Sequence, residues 1–228
     1  FDLKKAEFSN KFKHSIWRGV IENAERHNEP GKFTAFIGYE WTKTAETAPP
    51  GHLHRVVVFK DGIDKLSQVL PFTTLDSDKP EDLWSYLKNY ALDTGGDALA
   101  IPHNPNFSKG LMFFPKDSLG LPFSKSYAEK RARWEPLIEV TQVKGDSETH
   151  PLLSPTDEFA DFEKWTMSEN TEDRQYEYAR SALKLGLRHE ATIGANPFKF
   201  GMIGSTDAHT SLPAVEENNF QGKFAEPS

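Results

Sequence analysis

The sequence contains no cysteine, which excludes disulfide bonds, thiolate zinc sites and a cysteine nucleophile. It has no apolar run approaching the roughly 18 residues of a membrane helix, so we expect no membrane span. Basic residues are outnumbered: 27 Lys and Arg stand against 34 Asp and Glu, for a formal net charge of −7. Because such a chain repels a phosphate backbone, nucleic acid is not an expected partner. No glycine-rich phosphate loop is present, which argues against nucleotide binding through a P-loop.

The chain instead alternates short apolar runs with helical patterns. The runs have strand length and are rich in β-branched or aromatic residues; they cover residues 33–37, 55–59, 97–101, 137–141 and 200–203. Helical periodicity covers residues 11–26, 78–94 and 172–187, and Asp78 is the predicted N-cap of the second helix. This alternation predicts an α/β fold with a largely parallel sheet or barrel.

Side chains that bind metals lie next to several of the runs. The last run leads into Asp207 and His209, in the segment FGMIGSTDAHTS. These are either turn residues or a pair of ligands, because carboxylate oxygen and imidazole nitrogen both suit a borderline divalent cation. Glu40 follows the first run, His103 follows the third, and Glu139 lies within the fourth. In a β/α barrel the carboxyl ends of the strands converge on one mouth, which favours a shared metal site.

Each of these residues also has an ordinary structural interpretation. Glu40 suits a half-exposed strand end, His103 suits a turn, and Glu139 faces either solvent or a polar barrel interior. His52 and His54 precede their strand and share one of its faces at a period of two, and we favour His54 as the functional member. We expect solvent exposure for the histidines in charged, helical surroundings, which are His14, His27 and His189.

The order of the candidate ligands resembles that of the PHP (polymerase and histidinol phosphatase) superfamily. More closely, the chain resembles the family catalogued as domain of unknown function 3604, through segments such as KGDSETHP and NPFKFGMIGSTDAHT. The resemblance implies a PHP-like, distorted seven-stranded β/α barrel that holds two or three ions of manganese, zinc or iron. Proteins of this superfamily begin with a His-x-His pair, but no such pair precedes Glu40 in this sequence. Residues 1–228 are therefore expected to form one domain, incomplete at both ends, whose missing N-terminal segment completes the site.

The same resemblance implies roles for individual residues. Glu40 bridges two metals, and the other implied ligands are His54, His103, Asp207 and His209. The expected catalytic residues are Asp207, Glu40 and Lys144, and the expected substrate-binding residues are Arg55, Lys144, Glu148 and His150. Arg131 and Arg133 are either phosphate partners or, more commonly for such residues, surface charges.

These features predict a metal-dependent hydrolase that acts on a small, anionic substrate. Metal-bound water ionises near neutral pH, and paired cations stabilise both the attacking and the leaving oxygen of a phosphate ester. A phosphoesterase is therefore the first expectation. Two alternatives are hydrolysis of a non-phosphate ester or amide at the same metals, and a catalytically inactive domain that binds a ligand.

Overall fold

The computed structural model describes residues 9–44, 46, 48–210 and 216–219. Its helices and strands are, in chain order, α1 (Asn10–His27), β1 (Ile37–Lys43), β2 (Leu53–Phe59), α2 (Ile63–Leu66), α3 (Pro80–Thr94), β3 (Ala98–His103), α4 (Lys125–Trp134), β4 (Leu137–Gln142), β5 (Gly145–Asp146), α5 (Ala179–Ile193) and β6 (Gly201–Gly204). Short 3₁₀ turns cover Pro105–Phe107, Thr171–Tyr176 and Glu217–Asn219. The expected α/β class is confirmed. Among the described helices, none combines the length and apolar character needed to cross a bilayer.

The strands form two sheets of three within the described residues, in the orders β1-β2-β3 and β5-β4-β6. The first sheet is antiparallel throughout, and of the described pairs only β4 and β6 run parallel. The expectation of a largely parallel sheet is therefore wrong. No described helix separates β1 from β2, and such directly connected neighbours pair antiparallel. β3 and β4 have Cα atoms within 8 Å of each other, so the two sheets are adjacent. The seven-stranded barrel stays a prediction.

One face of the first sheet carries the main core. Burial alternates along β1 and β2, and the inward residues include Trp41, Val57 and Phe59. Trp17 of α1 packs against Phe59 with ring centroids 6.1 Å apart, and Tyr90 of α3 approaches the same ring at 5.0 Å. The opposite face of the sheet is therefore the one left for polar side chains.

The helix predictions differ in accuracy. α1 matches its predicted range within one residue at each end. α3 begins at Pro80 with Lys79 as N-cap, so the predicted Asp78 cap is wrong; proline has the dihedral angle of a first helical residue. The third predicted helix begins late, at Ala179, because a 3₁₀ turn occupies its first part.

The prediction that three histidines are exposed to solvent is correct for two of them. His14 and His27 are exposed on α1, as predicted. The expectation for His189 is wrong, because its ring packs 5.2 Å from the ring of Phe123 and 6.1 Å from that of Phe198. Its partial burial lowers the pKa of the imidazole.

A buried ion cluster fixes the sheet to the helices. Glu135 accepts hydrogen bonds from Arg55 Nε at 2.9 Å, from Trp84 Nε1 at 2.9 Å and from Arg131 Nε at 3.1 Å. Arg55 is 1% exposed and its guanidinium lies 5.6 Å from the ring of Trp41, on the core side of β2. Arg55 is therefore not placed to bind a substrate beside His54, contrary to expectation, because consecutive strand residues face opposite ways.

Replacing Glu135 tests how much the fold depends on this cluster. We expect Glu135→Gln to lower the free energy of unfolding by about 3–5 kcal/mol, because it leaves two buried guanidinium groups without their counter-charge. Burial opposes ionisation of Glu135, but Arg55 and Arg131 outweigh it and lower its pKa. The difference between wild type and variant is therefore largest above the ordinary pKa of 4.5 and shrinks as pH falls below it.

Urea denaturation at several pH values measures both effects. Glu129→Gln is the matched control, because Glu129 is 59% exposed and pairs only loosely with Lys125, at 3.8 Å. Equal losses for the two variants would contradict a structural role for the cluster.

Candidate metal centre

Antiparallel pairing brings three candidate ligands to one face of the first sheet. His54 lies directly opposite His103 in the pairing of β2 with β3. In the pairing of β1 with β2 it lies opposite Thr42, two residues from Glu40. Positions two apart share a face, so all three side chains project from the side opposite the core. Because β2 is antiparallel to both neighbours, its N-terminal end meets the C-terminal ends of β1 and β3.

These three side chains form the first group of potential ligands. His54 Nδ1 lies 2.8 Å from Glu40 Oε1, and His103 Nε2 lies 3.3 Å from the same oxygen. Within the described residues, both ring nitrogens are buried without a hydrogen bond of acceptable geometry. Buried polar atoms are almost always satisfied, and here the Glu40 carboxylate lies beside both nitrogens without forming a well-aligned hydrogen bond to either. A divalent cation bound by all three side chains would satisfy them.

A second group shares Glu40 and adds the residues that follow β6. Asp207 and His209 each offer an atom within 4.8 Å of the other ligand atoms in this group. His209 Nδ1 donates to the Asp207 carbonyl at 2.7 Å, and its Nε2 lies 3.7 Å from Glu40 Oε2. The two oxygens of Glu40 thus face different groups. Glu40 therefore belongs to both of the groups that could hold a metal, and the groups adjoin each other, because His103 Nε2 lies 3.9 Å from Asp207 Oδ1.

Neighbouring atoms orient the imidazoles. His54 Nε2 lies 3.2 Å from His52 Nδ1, which leaves His54 Nδ1 directed at Glu40. His103 Nδ1 lies 3.5 Å from the Ile101 carbonyl, which leaves Nε2 as the inward atom. Such outer contacts set the tautomer of a ligating histidine. The structure places His54, rather than His52, at ligand distance.

The electrostatics favour the metal-binding protonation states of Glu40 and His54. Burial opposes ionisation of Glu40, but the interactions with His103 and His54 outweigh it and hold the Glu40 pKa far below its usual range. Burial is the main cause of the lowered pKa of His54. A carboxylate and a neutral imidazole are the forms that bind a cation. Nearby, burial raises the pKa of Glu139, whose Oε2 accepts a hydrogen bond from Gln142 at 3.0 Å.

Lys144 lies at the second group, where its ammonium is paired with Asp207 Oδ2. Asn106, which the sequence analysis missed, holds the Lys144 backbone in place. Its Nδ2 donates to the carbonyls of Lys144 at 3.0 Å and Trp165 at 2.6 Å, and its Oδ1 accepts from Ser147 Oγ at 2.7 Å. No sequence signal distinguishes Asn106 from the other polar residues of its loop, which include Asn104 and Ser108.

Asn104 is a second residue that the sequence analysis missed. It follows His103 directly, is 1% exposed and has a backbone φ of 42°. Asparagine tolerates this left-handed conformation better than most residues. Neither polar atom of its side chain has a hydrogen-bond partner among the described residues, so Asn104 is a further candidate for a ligand contact.

Two expected substrate-binding residues have other partners. Glu148 Oε1 lies 2.6 Å from Arg180 Nη2, and the His150 ring lies 5.6 Å from that of Tyr178. In the described chain, neither side chain has a hydrogen bond or ion pair with Glu40, Asp207 or their partner histidines. Arg133 pairs with Asp97 at 2.6 Å, as a surface charge would.

The shared carboxylate gives a distinct expectation for metal content. We expect wild-type protein to bind two divalent cations, Glu40→Ala to lose both, and His54→Ala and His209→Ala to lose one each. The reason is that each histidine belongs to one group, whereas Glu40 belongs to both. Plasma mass spectrometry after manganese or zinc loading measures the stoichiometry.

His14→Ala is the control, because His14 is exposed on α1. Loss of both ions in His54→Ala would contradict two separable groups. Unchanged metal content in Glu40→Ala would contradict the site itself.

Comparison with known proteins identifies a family without an assigned activity. The chain matches the family model described as "Protein of unknown function (DUF3604)" over residues 2–228. No PHP superfamily match is shown, so the expected assignment to that superfamily is wrong, whereas the narrower resemblance agrees with the match. No curated protein and no solved structure matches the chain. The chain belongs to the DUF3604 family, whose function is unknown.

Proposed function

We propose that this protein is a metal-dependent hydrolase that uses two divalent cations, with a phosphate ester as its substrate. The observation that supports the proposal is the sharing of Glu40 between two potential ligand groups, each with its own histidine. Mixed imidazole and carboxylate ligands suit zinc, manganese and iron. Bound cations of this kind lower the pKa of a water from about 15.7 to about 7 and stabilise charge on both reacting oxygens.

Exposure indicates where a substrate reaches the centre. The side chains of His54 and His103 are 12% and 2% exposed, whereas that of His209 is 38% exposed. Among the described residues, the accessible edge is therefore beside His209 and Glu40, whose side chain is 27% exposed, whereas that of Asp207 is only 8% exposed. His54 and His103 form the closed side, where they would hold a cation together with Glu40.

Positive charge near this edge favours an anionic substrate. Lys144 lies against Asp207. The pKa of His52 is lowered mainly by burial and by His54, and further by the positive charges of Lys144, Lys43 and Lys109. Lys144 therefore binds a phosphate oxygen as substrate enters, and between turnovers it holds the Asp207 carboxylate in place. An ammonium acts here as a point charge rather than as a bidentate clamp. A neutral ester carries no negative charge for the Lys144 ammonium to bind.

Matched chromogenic substrates test the proposal. We expect the manganese- or zinc-loaded protein to hydrolyse p-nitrophenyl phosphate or bis-p-nitrophenyl phosphate, and chelation to abolish turnover. We expect Glu40→Gln to lose at least about a thousandfold in kcat, because it removes the ligand common to both cations. Lys144→Met should lower kcat/KM for the phosphate esters about tenfold or more, because it removes one charge-assisted contact with the substrate.

Two comparisons separate this function from its competitors. Lys60→Met, on an exposed residue after β2, should leave turnover unchanged. Metal-dependent turnover of p-nitrophenyl acetate without turnover of either phosphate ester would favour a non-phosphate hydrolase. Metal binding without turnover of any ester or amide would favour an inactive, ligand-binding domain.

A further inference from the structure

We propose that a cavity on the core side of the first sheet binds a small organic monocarboxylate that has an apolar body and a hydrogen-bond donor. The cavity has a volume of about 450 Å³ and lies between the ends of β1 and β2, the start of α3 and the loop before α4. Such a volume lies within the usual range for small-molecule sites. Neither the metal centre nor the proposed hydrolysis uses it.

Arg55 supplies the anchor for the carboxylate. It lines the cavity and is 1% exposed, yet its Nη1 has no hydrogen-bond partner among the described residues. Its Nε is already committed to Glu135, at 2.9 Å. A buried guanidinium nitrogen without an acceptor is costly. Nη1 has almost no accessible surface as the structure stands, so an anion in the cavity supplies the acceptor once the neighbouring side chains move aside to admit it.

Cations outnumber carboxylates among the described residues that line the cavity: the cations are Lys43, Arg55, Lys79, Lys116 and Arg131, against Asp78, Glu81 and Asp117. Arg55 and Arg131 both line it and share a single buried carboxylate, that of Glu135. Lys43 also lines the cavity, where its Nζ donates to the Pro49 carbonyl at 2.8 Å. The N-terminus of α3, at Lys79 and Pro80, also borders the space, and a helix N-terminus favours negative charge. The cavity therefore favours an anion.

Glu81 restricts which anion fits. It also lines the cavity; its Oε1 accepts from the Ser118 backbone at 3.0 Å, while its Oε2 is buried without a partner in the described residues. A second carboxylate disfavours a dianion such as phosphate by like-charge repulsion. The same oxygen accepts a hydrogen bond from a hydroxyl or ammonium group. A monocarboxylate with such a donor satisfies both unpartnered atoms.

The remaining wall is apolar and matches the body of such a ligand. It is formed by five side chains from β2, the loop before α4 and α4 itself: Leu53, Leu111, Met112, Phe114 and Tyr127. Burying an apolar ligand body against them supplies affinity that inorganic anions lack. The walls thus select an organic anion.

This cavity is separate from the metal centre. Arg55 follows His54 in β2, and consecutive strand side chains project from opposite faces. The sheet therefore lies between the two sites, and a carboxylate bound at Arg55 does not contact the ligands around Glu40.

Calorimetric titration of the full chain with 4-hydroxyphenylacetate tests the proposal. We expect one equivalent to bind to wild type and to His209→Ala alike, because the metal centre is not involved. Leu111→Trp fills the cavity, and Arg55→Lys keeps the charge but removes the guanidinium fork; each should raise Kd at least about tenfold. Glu81→Gln should weaken 4-hydroxyphenylacetate more than phenylacetate, which lacks the hydroxyl donor. Glu129→Gln is the control.

Three results would overturn the proposal. They are no binding of either monocarboxylate to folded wild type, binding that is retained in both Leu111→Trp and Arg55→Lys, and binding that is lost in His209→Ala. Inorganic phosphate that competes with 4-hydroxyphenylacetate for the same site would contradict the preference for a monoanion. Circular dichroism of each variant confirms folding, and Arg55→Lys keeps the test decisive if Leu111→Trp does not fold.

Discussion

Antiparallel pairing of β2 with both β1 and β3 is the constraint on which the candidate site depends. It places His54, at the start of its strand, beside the ends of two strands that run the other way. A parallel arrangement of β2 and β3 would separate His54 from His103 by most of the length of a strand, because His103 is the last residue of β3. The same pairing fixes which residues share a face, so that one slip of register would turn His54 into the core.

β2 connects two different environments through consecutive residues. His54 projects toward the cluster around Glu40, and Arg55 projects into the core, where Glu135 binds it. The buried ion cluster thus anchors the strand that carries a candidate metal ligand. The peptide bond between His54 and Arg55 therefore links the geometry of the candidate site to the electrostatic stabilisation of the fold, although the two side chains lie on opposite faces of the sheet.

The sequence predicted the ligands better than their surroundings. Glu40, His103 and Asp207 were identified because each lies at or near the end of an apolar run, which is a local pattern. Arg55 was assigned to substrate because it is a cation next to His54, although strand alternation already placed it on the other face. Asn106 was missed because its role consists of hydrogen bonds to residues 38 and 59 positions away, which no local pattern encodes.

By itself, the sequence determined the α/β class, the approximate positions of β2, β3, β4 and β6, and the residues able to bind a cation. It did so because strand burial and helix periodicity are short-range properties of the chain. The first predicted strand, residues 33–37, ends where β1 begins at Ile37, so that prediction was wrong. Only the tertiary structure decided that the first sheet is antiparallel, that Glu40 is shared between two ligand groups, and that Glu148 pairs with Arg180 instead. These outcomes depend on contacts between residues far apart in the chain, and packing against the rest of the fold selects among them.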